Sequence, residues 1–396
     1  MPEGLRYKPR HSPVARPMLL KRPPGSSSGE KGGTANFQPR PLPWAGFCYF
    51  LMVSQREDLR HLIGKKRILT GIRPTGALHL GHYVGALENW VRLQEDYDCF
   101  FLIADYQALG DHLDNIDGIR SSTVDVALDW LAVGLNPDIS TFVVQSYVPE
   151  HSELAMFLSM LTPIGMLERN PTLKAERDQV QTKGLSVGFY TYPVSQVADI
   201  LLPKANLVPV GEDQLPHIEM AREIVRRFNN RYGDVFPEPE ALVGRVARLS
   251  GTDGHAKMSK SLGNVIYLAD DRDTVTRKVK TMYTDPTRIR ATDPGHVEGN
   301  PVFEYHDAFN SNQAEVEELK KRYKAGTVGD VEVKQRLADA INSFLDPIRD
   351  RRANYEGRPK LVKESLVEGS RKAKKVAEAT MAEVRERMGI MYFSET

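Results

Sequence analysis

Residues Arg67 to Leu87 read RILTGIRPTGALHLGHYVGAL. Arg67-Ile68-Leu69-Thr70 is a short apolar run of the kind that forms a buried parallel strand. Gly71 and Pro74-Thr75-Gly76 break it. His79-Leu80-Gly81-His82 then opens a run with apolar residues at helical spacing: Leu80, Val84, Leu87 and Val91. Strand, glycine-containing turn and helix together make an anion cradle. The first turn of a helix presents unpaired N–H groups and a partial positive charge of roughly half a unit. His79 and His82, at i and i+3, share one side of that turn, where both can donate to a phosphate. The same pattern also describes an ordinary strand–helix unit with surface histidines. A second, distant element is needed to choose between them.

The chain around this stretch has 396 residues, enough for two domains with ample core. A net charge of +1 describes a globular protein and excludes one that holds nucleic acid through bulk positive charge. Cys48 and Cys99 are too few for a disulfide framework or a four-cysteine metal site, so neither zinc nor an iron–sulfur cluster is expected. That usage fits a reducing, cytoplasmic compartment. No apolar run reaches the roughly 18–20 residues a membrane span needs.

Residues 1–43 differ from the rest, with eight Lys and Arg against two Glu, nine prolines and a glycine- and serine-rich centre. Such composition cannot bury enough apolar surface to offset its ordering entropy, so residues 1–60 are expected as a disordered basic extension. The apolar patch Leu42–Val53 within it leaves three readings open: a docking peptide for a protein partner, a cover for the following domain, or sequence upstream of a start at Met52.

Downstream, Cys99–Ala104 and Thr141–Gln145 read as further strands, alternating with helices over Ile119–Val133, Glu150–Leu161 and Ile164–Glu168. This alternation predicts an α/β fold with a doubly wound parallel sheet and ligands at its C-terminal edge. Asp105 sits at such an edge, as a catalytic group or as a cap. Asn170–Gly188 reads as a polar, mobile segment carrying Lys174, Arg177 and Lys183. Pro193 reads as a helix start, with Gln196 and Asp199 on one face of that helix. A carboxylate among Val197, Ala198, Ile200 and Leu201 must meet a donor if buried, for which an indole N–H or a phenol O–H would serve. Val208, Val210 and Gly211 lead to Asp213 and Gln214 at another strand edge.

The second element is Leu249–Gly263, LSGTDGHAKMSKSLG. Lys257 and Lys260 on a glycine-flanked loop supply charge where it would build on a reacting phosphate and a departing pyrophosphate. HLGH and KMSKS about 175 residues apart resemble the class I aminoacyl-tRNA synthetases. Tyr190–Leu202 with Val208-Pro-Val-Gly-Glu-Asp-Gln214 is similar to the tryptophanyl branch of that family, and the likeness runs from about Ile68 to Met388.

The resemblance implies a Rossmann-type catalytic domain over 65–268, a helical anticodon-binding domain over 269–363, and a C-terminal helix, 364–396, returning to the catalytic domain. It implies activation of L-tryptophan with ATP and magnesium, transfer to tRNA(Trp), and a homodimer. The catalytic residues would be His79, His82, Lys174, Lys257 and Lys260. ATP would lie against Arg73, Thr75, Gly76, His79, Gly81, His82, Gly211, Asp213, Lys257, Met258, Ser259, Lys260 and Ser261. Tryptophan would lie against Leu69, Gly71, Gln107, Tyr192, Gln196, Asp199, Val208, Val210 and Gln214, with Asp199 on the indole N–H and Gly71 letting the substrate approach the first strand. No protein metal ligands are implied.

Three positions depart from the family pattern: Leu69 replaces an aromatic residue, Gln107 a histidine and Gln196 a methionine. The Gln196–Asp199 spacing is similar to that of tyrosyl enzymes, whereas VPVGEDQ is of the tryptophanyl type. The departures leave open an auxiliary enzyme with an altered indole pocket, one that tolerates ring-substituted tryptophans or rejects indole inhibitors. A tRNA-independent adenylating enzyme and a regulatory protein that keeps the fold are the rival readings. Beyond Asp271 the pattern is almost wholly helical, with Pro286, Pro294, Pro301 and Pro347 expected in loops. Arg349, Arg351 and Arg352, with Arg358 and Lys360, either face solvent or meet RNA phosphate.

Overall fold

In the computed structural model, residues 64–179, 186–243, 249–254 and 258–393 are described. The Arg67–Leu87 stretch folds as strand β1 (Arg67–Ile72) followed by helix α1, which begins at Leu80–His82, passes through a π turn at Tyr83–Leu87 and continues over Glu88–Asp96. Four more strands follow: β2 (Asp98–Ile103), β3 (Thr141–Val144), β4 (Leu207–Val210) and β5 (Glu240–Val243). All are parallel, in the order β3-β2-β1-β4-β5. The chain reverses its direction of winding between β1 and β4. In a doubly wound sheet that is where a crevice opens at the C-terminal strand ends.

Strand alternation gives the sheet two apolar faces. Ile68, Phe101, Ile103 and Phe142 point to one side, where Trp90 of α1 stacks on Phe101 at 5.3 Å. Trp130 of α3 (Ile116–Val133) meets Phe142 edge-on at 5.3 Å on that side. Leu69, Phe100, Leu102 and Val143 point to the other side. They pack with Val194 and Val197 of a helix over Val187–Leu201 and with Ile224 and Phe228 of one over Leu215–Tyr232. Each such side chain taken from water contributes about 1.5–3 kcal/mol before entropy is subtracted.

Between α1 and α3 lies the short helix α2 (Asp105–Asp111). After α3 come α4 (Glu150–Leu161), α5 (Ile164–Arg169), α6 (Pro171–Gln179), α7 (Val187–Leu201) and α8 (Leu215–Tyr232). The C-terminal half adds α9 (Arg272–Lys280), α10 (Pro301–Phe309), α11 (Gln313–Lys324), α12 (Asp330–Glu356) and α13 (Pro359–Met388).

Three local expectations need correcting. The polar segment from Asn170 is helical through Gln179: Asn170 Oδ1 accepts from the Thr172 and Leu173 N–H groups, and Pro171 at the first helical position loses no bond. Pro193 lies inside α7, whose start is capped by Ser186 accepting from Phe189 N–H. Pro301 is the first residue of α10, and Pro347 lies inside α12, rather than in loops. The missing N–H of Pro347 leaves the carbonyl of Ser343, an exposed residue that water can reach.

The last helix, α13, lies against β3, an outer strand of the sheet. A Cβ on Gly369 would fall 2.1 Å from the Phe142 carbonyl oxygen, so only glycine lets the helix approach this closely. Beside it, Ser370 Oγ accepts the Val144 N–H at 3.0 Å, satisfying a donor that the sheet edge would otherwise leave open. Thr380 Oγ1 donates to the Leu202 carbonyl at 2.9 Å, and Arg385 pairs with Glu153.

Candidate active site

A cavity of about 670 Å³ opens at the crevice between β1 and β4. All nine residues expected to hold the amino acid line it: Leu69 and Gly71 on β1, Gln107 on α2, Tyr192, Gln196 and Asp199 on α7, Val208 and Val210 on β4, and Gln214 just beyond.

Asp199 is buried at 7% exposure, and the structure meets its charge with three donors. Gln107 Nε2 donates to Oδ2 at 2.8 Å, and Gln145 Nε2 lies 2.8 and 3.0 Å from the two oxygens. His151 Nε2 stands 3.2 Å from Oδ1. Burial works against a charged His151 ring, yet the Asp199 carboxylate outweighs it and holds the histidine above its ordinary range. The carboxylate is therefore already paired, and an incoming N–H must take the place of one donor. Gln107, on a short surface helix, is the one that lines the cavity with it.

Gly71 borders the cavity, but its lack of a side chain is demanded from the other side. A Cβ there would meet the Leu102 carbonyl oxygen at 2.4 Å and its Cβ at 2.8 Å. Packing of β1 against β2 by itself requires this glycine. At the far wall, Gln214 Nε2 donates to Asp213 Oδ2 at 3.0 Å, and Asp213 is exposed outside the cavity.

His217 also borders the cavity, buried against Asn170, whose Nδ2 lies 3.3 Å from its Nδ1. Burial pushes its pKa down to about 4, with the Asp213 charge opposing. The folded state therefore favours the neutral ring. The stability this confers is full above the unfolded histidine value of about 6.5 and is lost as pH falls toward 4. By that difference the native state gives up about 3 kcal/mol over the window. His217→Gln is expected to flatten the loss of melting temperature between pH 6.5 and 4, measured by calorimetry. Parallel curves for the two proteins would remove His217 from this role.

The phosphate-binding candidates gather beside the cavity rather than in it. Arg73 and Gly211 line it, while Thr75, Gly76, His79, Gly81, His82, Met258, Ser259 and Lys260 do not. The two distant motifs nonetheless meet. Lys260 Nζ donates to the Gly76 carbonyl at 2.8 Å, and Met258 Sδ lies 3.2 Å from where a Cβ on Gly81 would stand. Backbone bonds from Leu80 N–H to Ile266 and from Leu268 N–H to Leu78 join the segments that carry them. Burial lowers the Lys260 pKa, with the Asp129 charge opposing. His79 and His82 rings lie 3.8 Å apart, and the His79 N–H donates to His82 Nδ1 at 3.1 Å. With Nδ1 accepting, a neutral His82 carries its proton on Nε2, as a donor. Lys257 and Lys183 lie outside the described residues, and nothing is described of the Ser261 side chain.

Two candidates stand elsewhere. Lys174 is exposed on α6, where Thr172 and Glu176 supply the cavity-facing side; two residues on from Thr172, it points the opposite way. Asp105 is structural: its Oδ1 accepts the N–H groups of Tyr106 and Ser146 at 3.1 and 2.9 Å, tying the ends of β2 and β3. The arginines at 349, 351 and 352 have partners within the chain, Arg349 and Arg352 half-buried and Arg351 exposed. Arg349 binds the Asp270 carbonyl and Asn342, Arg351 the Ala132 carbonyl, and Arg352 pairs with Asp125 and Asp129.

Gln145, His151, Asn170 and His217 were not singled out from sequence. Gln145 ends an expected strand at the ligand-binding edge, a signal that could have found it. His151 and His217 lie within ordinary helices and carry no local signal.

Residues 64–346 match the family described as tRNA synthetases class I (W and Y). The chain is 53% identical over 338 residues to a tryptophan–tRNA ligase of Clostridium longisporum, covering 84% of this chain and 99% of that one. It is 50% identical over 326 residues to a tryptophan–tRNA ligase of Treponema pallidum, covering 82% and 97%. A crystal structure of tryptophanyl-tRNA synthetase from Campylobacter jejuni, complexed with ADP and tryptophan, superposes with a TM-score of 0.74 at 36% identity, covering 82% of this chain and 99% of that one.

Proposed function

The chain belongs to the class I tRNA synthetases of the tryptophan and tyrosine family, and from that premise we propose that it is a tryptophan–tRNA ligase. It activates L-tryptophan with ATP to tryptophanyl-adenylate and pyrophosphate, then transfers tryptophan to the 3′ end of tRNA(Trp). The observation that carries this reading is the extent of the similarity: about half of the aligned positions, over 99% of the ligase of Clostridium longisporum.

The tryptophan carboxylate attacks the α-phosphate of ATP in line with the departing pyrophosphate, and a hydroxyl of the terminal adenosine then attacks the carbonyl carbon of the adenylate, releasing AMP. No side chain need become a nucleophile; orientation and charge stabilisation carry both steps. In our assignment the indole N–H replaces Gln107 on Asp199, between Leu69, Val208 and Val210. Tyr192 and Gln214 take the α-amino group. His79, His82, Lys257 and Lys260 face the phosphates, and Asp213 the ribose. Magnesium arrives with the nucleotide as part of the substrate, held by phosphate oxygens.

Helices α9–α12 are assigned to the anticodon end of the tRNA. A homodimer, a cytoplasmic location and a protein partner for residues 1–60 belong to the same proposal; the family resemblance and the composition support them. Among the described residues, no helix is long and apolar enough to cross a membrane.

Aminoacylation of a tRNA(Trp) transcript with labelled tryptophan, with tyrosine in parallel, tests the reading. Tryptophan should charge the transcript to completion and tyrosine should not. Charging by tyrosine would overturn the amino-acid assignment. Tryptophan-dependent pyrophosphate exchange without any charging would favour the tRNA-independent adenylating enzyme.

A further inference from the structure

The HLGH turn is held at both ends by one helix of the C-terminal half. The residue before it, Leu78, donates its backbone N–H to Asp129 Oδ2 at 3.1 Å. Asp129, on α3, is fully buried, and its other oxygen accepts from Arg352 Nη1 on α12. The remaining Arg352 nitrogens are fixed by Asp125 at 3.1 Å and Glu356 at 3.0 Å. The residue after the turn, Tyr83, sets its ring edge-on against Phe344, also on α12, at 4.8 Å. Phe344 in turn packs on Phe309 of α10 at 5.0 Å.

The two grips are eight residues apart on α12, about 12 Å along its axis, with Pro347 between them. Tyr83 is also where α1 leaves α-helical register for a π turn, a feature that recurs at functional sites. Neither Asp129 nor Tyr83 belongs to the amino-acid cavity. Both lie one bond or one ring from the histidine turn.

We propose that Asp129 with Arg352, and Tyr83 with Phe344, are positioning residues through which α12 fixes His79 and His82 for the phosphates of ATP. The carboxylate sets the height of the Leu78 peptide and so the entry of the chain into the turn. The ring pair sets its exit. Burial raises the Asp129 pKa to about 6, with the Arg352 charge and the Leu78 N–H opposing it. The same charge acts on Lys260, so the second phosphate element feels it too.

The proposal rests on the reading of HLGH as the ATP site, and the experiment separates the two. Tryptophan-dependent pyrophosphate exchange is measured on the full chain, with concentrations corrected by active-site titration. Asp129→Asn keeps a carbonyl for Leu78 and removes the charge; its KM for ATP should rise about tenfold, the weight of one charged hydrogen bond. The KM for tryptophan should stay within twofold. Phe344→Leu, a milder change at a half-buried site, covers the case in which Asp129→Asn does not fold, and should raise the ATP KM about threefold with the same split.

An equal rise in both KM values, or an unchanged ATP KM per active site with only a lower melting temperature, would reduce these residues to structural ones. Absence of exchange in the parent chain would overturn the ATP-site reading and this proposal with it.

Discussion

Asp199→Asn is expected to lower kcat/KM for tryptophan in pyrophosphate exchange by about 100-fold while the KM for ATP changes little. A hydrogen bond to a charged group is worth about 1.5–3 kcal/mol, and each 1.4 kcal/mol is tenfold. The amide also brings two N–H donors into a site already built from donors. Gln107 and Gln145 both direct Nε2 at this carboxylate, and His151 adds a third nitrogen. An asparagine at 199 would set N–H against N–H in a buried space, so part of the effect falls on the empty pocket. A companion change separates the two. Gln107→Ala removes the donor that the substrate must displace and leaves Asp199 held by Gln145 and His151. It should tighten tryptophan or leave its affinity unchanged. If Asp199→Asn retained near-parental kcat/KM, the indole would not be read by this carboxylate, and the tryptophan assignment of the cavity would fall.

Lys260→Ala should slow adenylate formation by about 100-fold or more, the usual cost of removing one donor aimed at charge that develops in a transition state. The KM for tryptophan should stay near its parental value. In the structure the ammonium rests on the Gly76 carbonyl, 2.8 Å away, in the turn that leads to HLGH. It is thus held beside the phosphate element before any nucleotide arrives, by one charge-assisted hydrogen bond that the reaction must break. Lys260→Arg is not expected to restore the rate, because a planar fork cannot replace a compact, rotatable ammonium in so confined a place. Single-turnover quench kinetics reports the chemical step directly. A rate within threefold of the parent in Lys260→Ala would exclude this lysine from the chemistry.

The legible parts of this molecule were those in which a short local pattern carries a physical need. Apolar runs at Ile68, Phe100 and Phe142 could only be buried strands, and alternation with helices made the sheet parallel. The nine cavity residues came from a family likeness rather than from periodicity, yet they converge because the winding reverses between β1 and β4. Signals passed over were present at Asn170-Pro171, a cap followed by a proline at the first helical position. The dense charge of the segment, with Lys174, Glu176, Arg177 and Asp178, masks that helix signal.

Other features had no signal to read. Gln145 and His151 matter because α7 delivers Asp199 to them, and no spacing in sequence encodes that meeting. Arg349, Arg351 and Arg352 show the same limit from the other side. A basic cluster in sequence does not show that Arg352 is taken up by Asp125 and Asp129 on α3, or that Arg349 is taken up by Asn342 and the Asp270 carbonyl. Gly71 illustrates a residue with a cause that sequence does not show: its neighbour Leu102 forbids a side chain whatever the substrate does.

The packing of α13 on β3 bears on the order in which the chain can be completed during synthesis. The sheet is finished in sequence by Val243, yet the Val144 N–H and the surface beside Phe142 wait for Gly369 and Ser370, more than a hundred residues later. Until those residues leave the ribosome, the nascent sheet carries an uncovered rim able to pair with a neighbouring chain. The final helix therefore acts as a late seal, and a message cut short before it would release a polypeptide with every phosphate-binding motif present and its outer strand still open to aggregation.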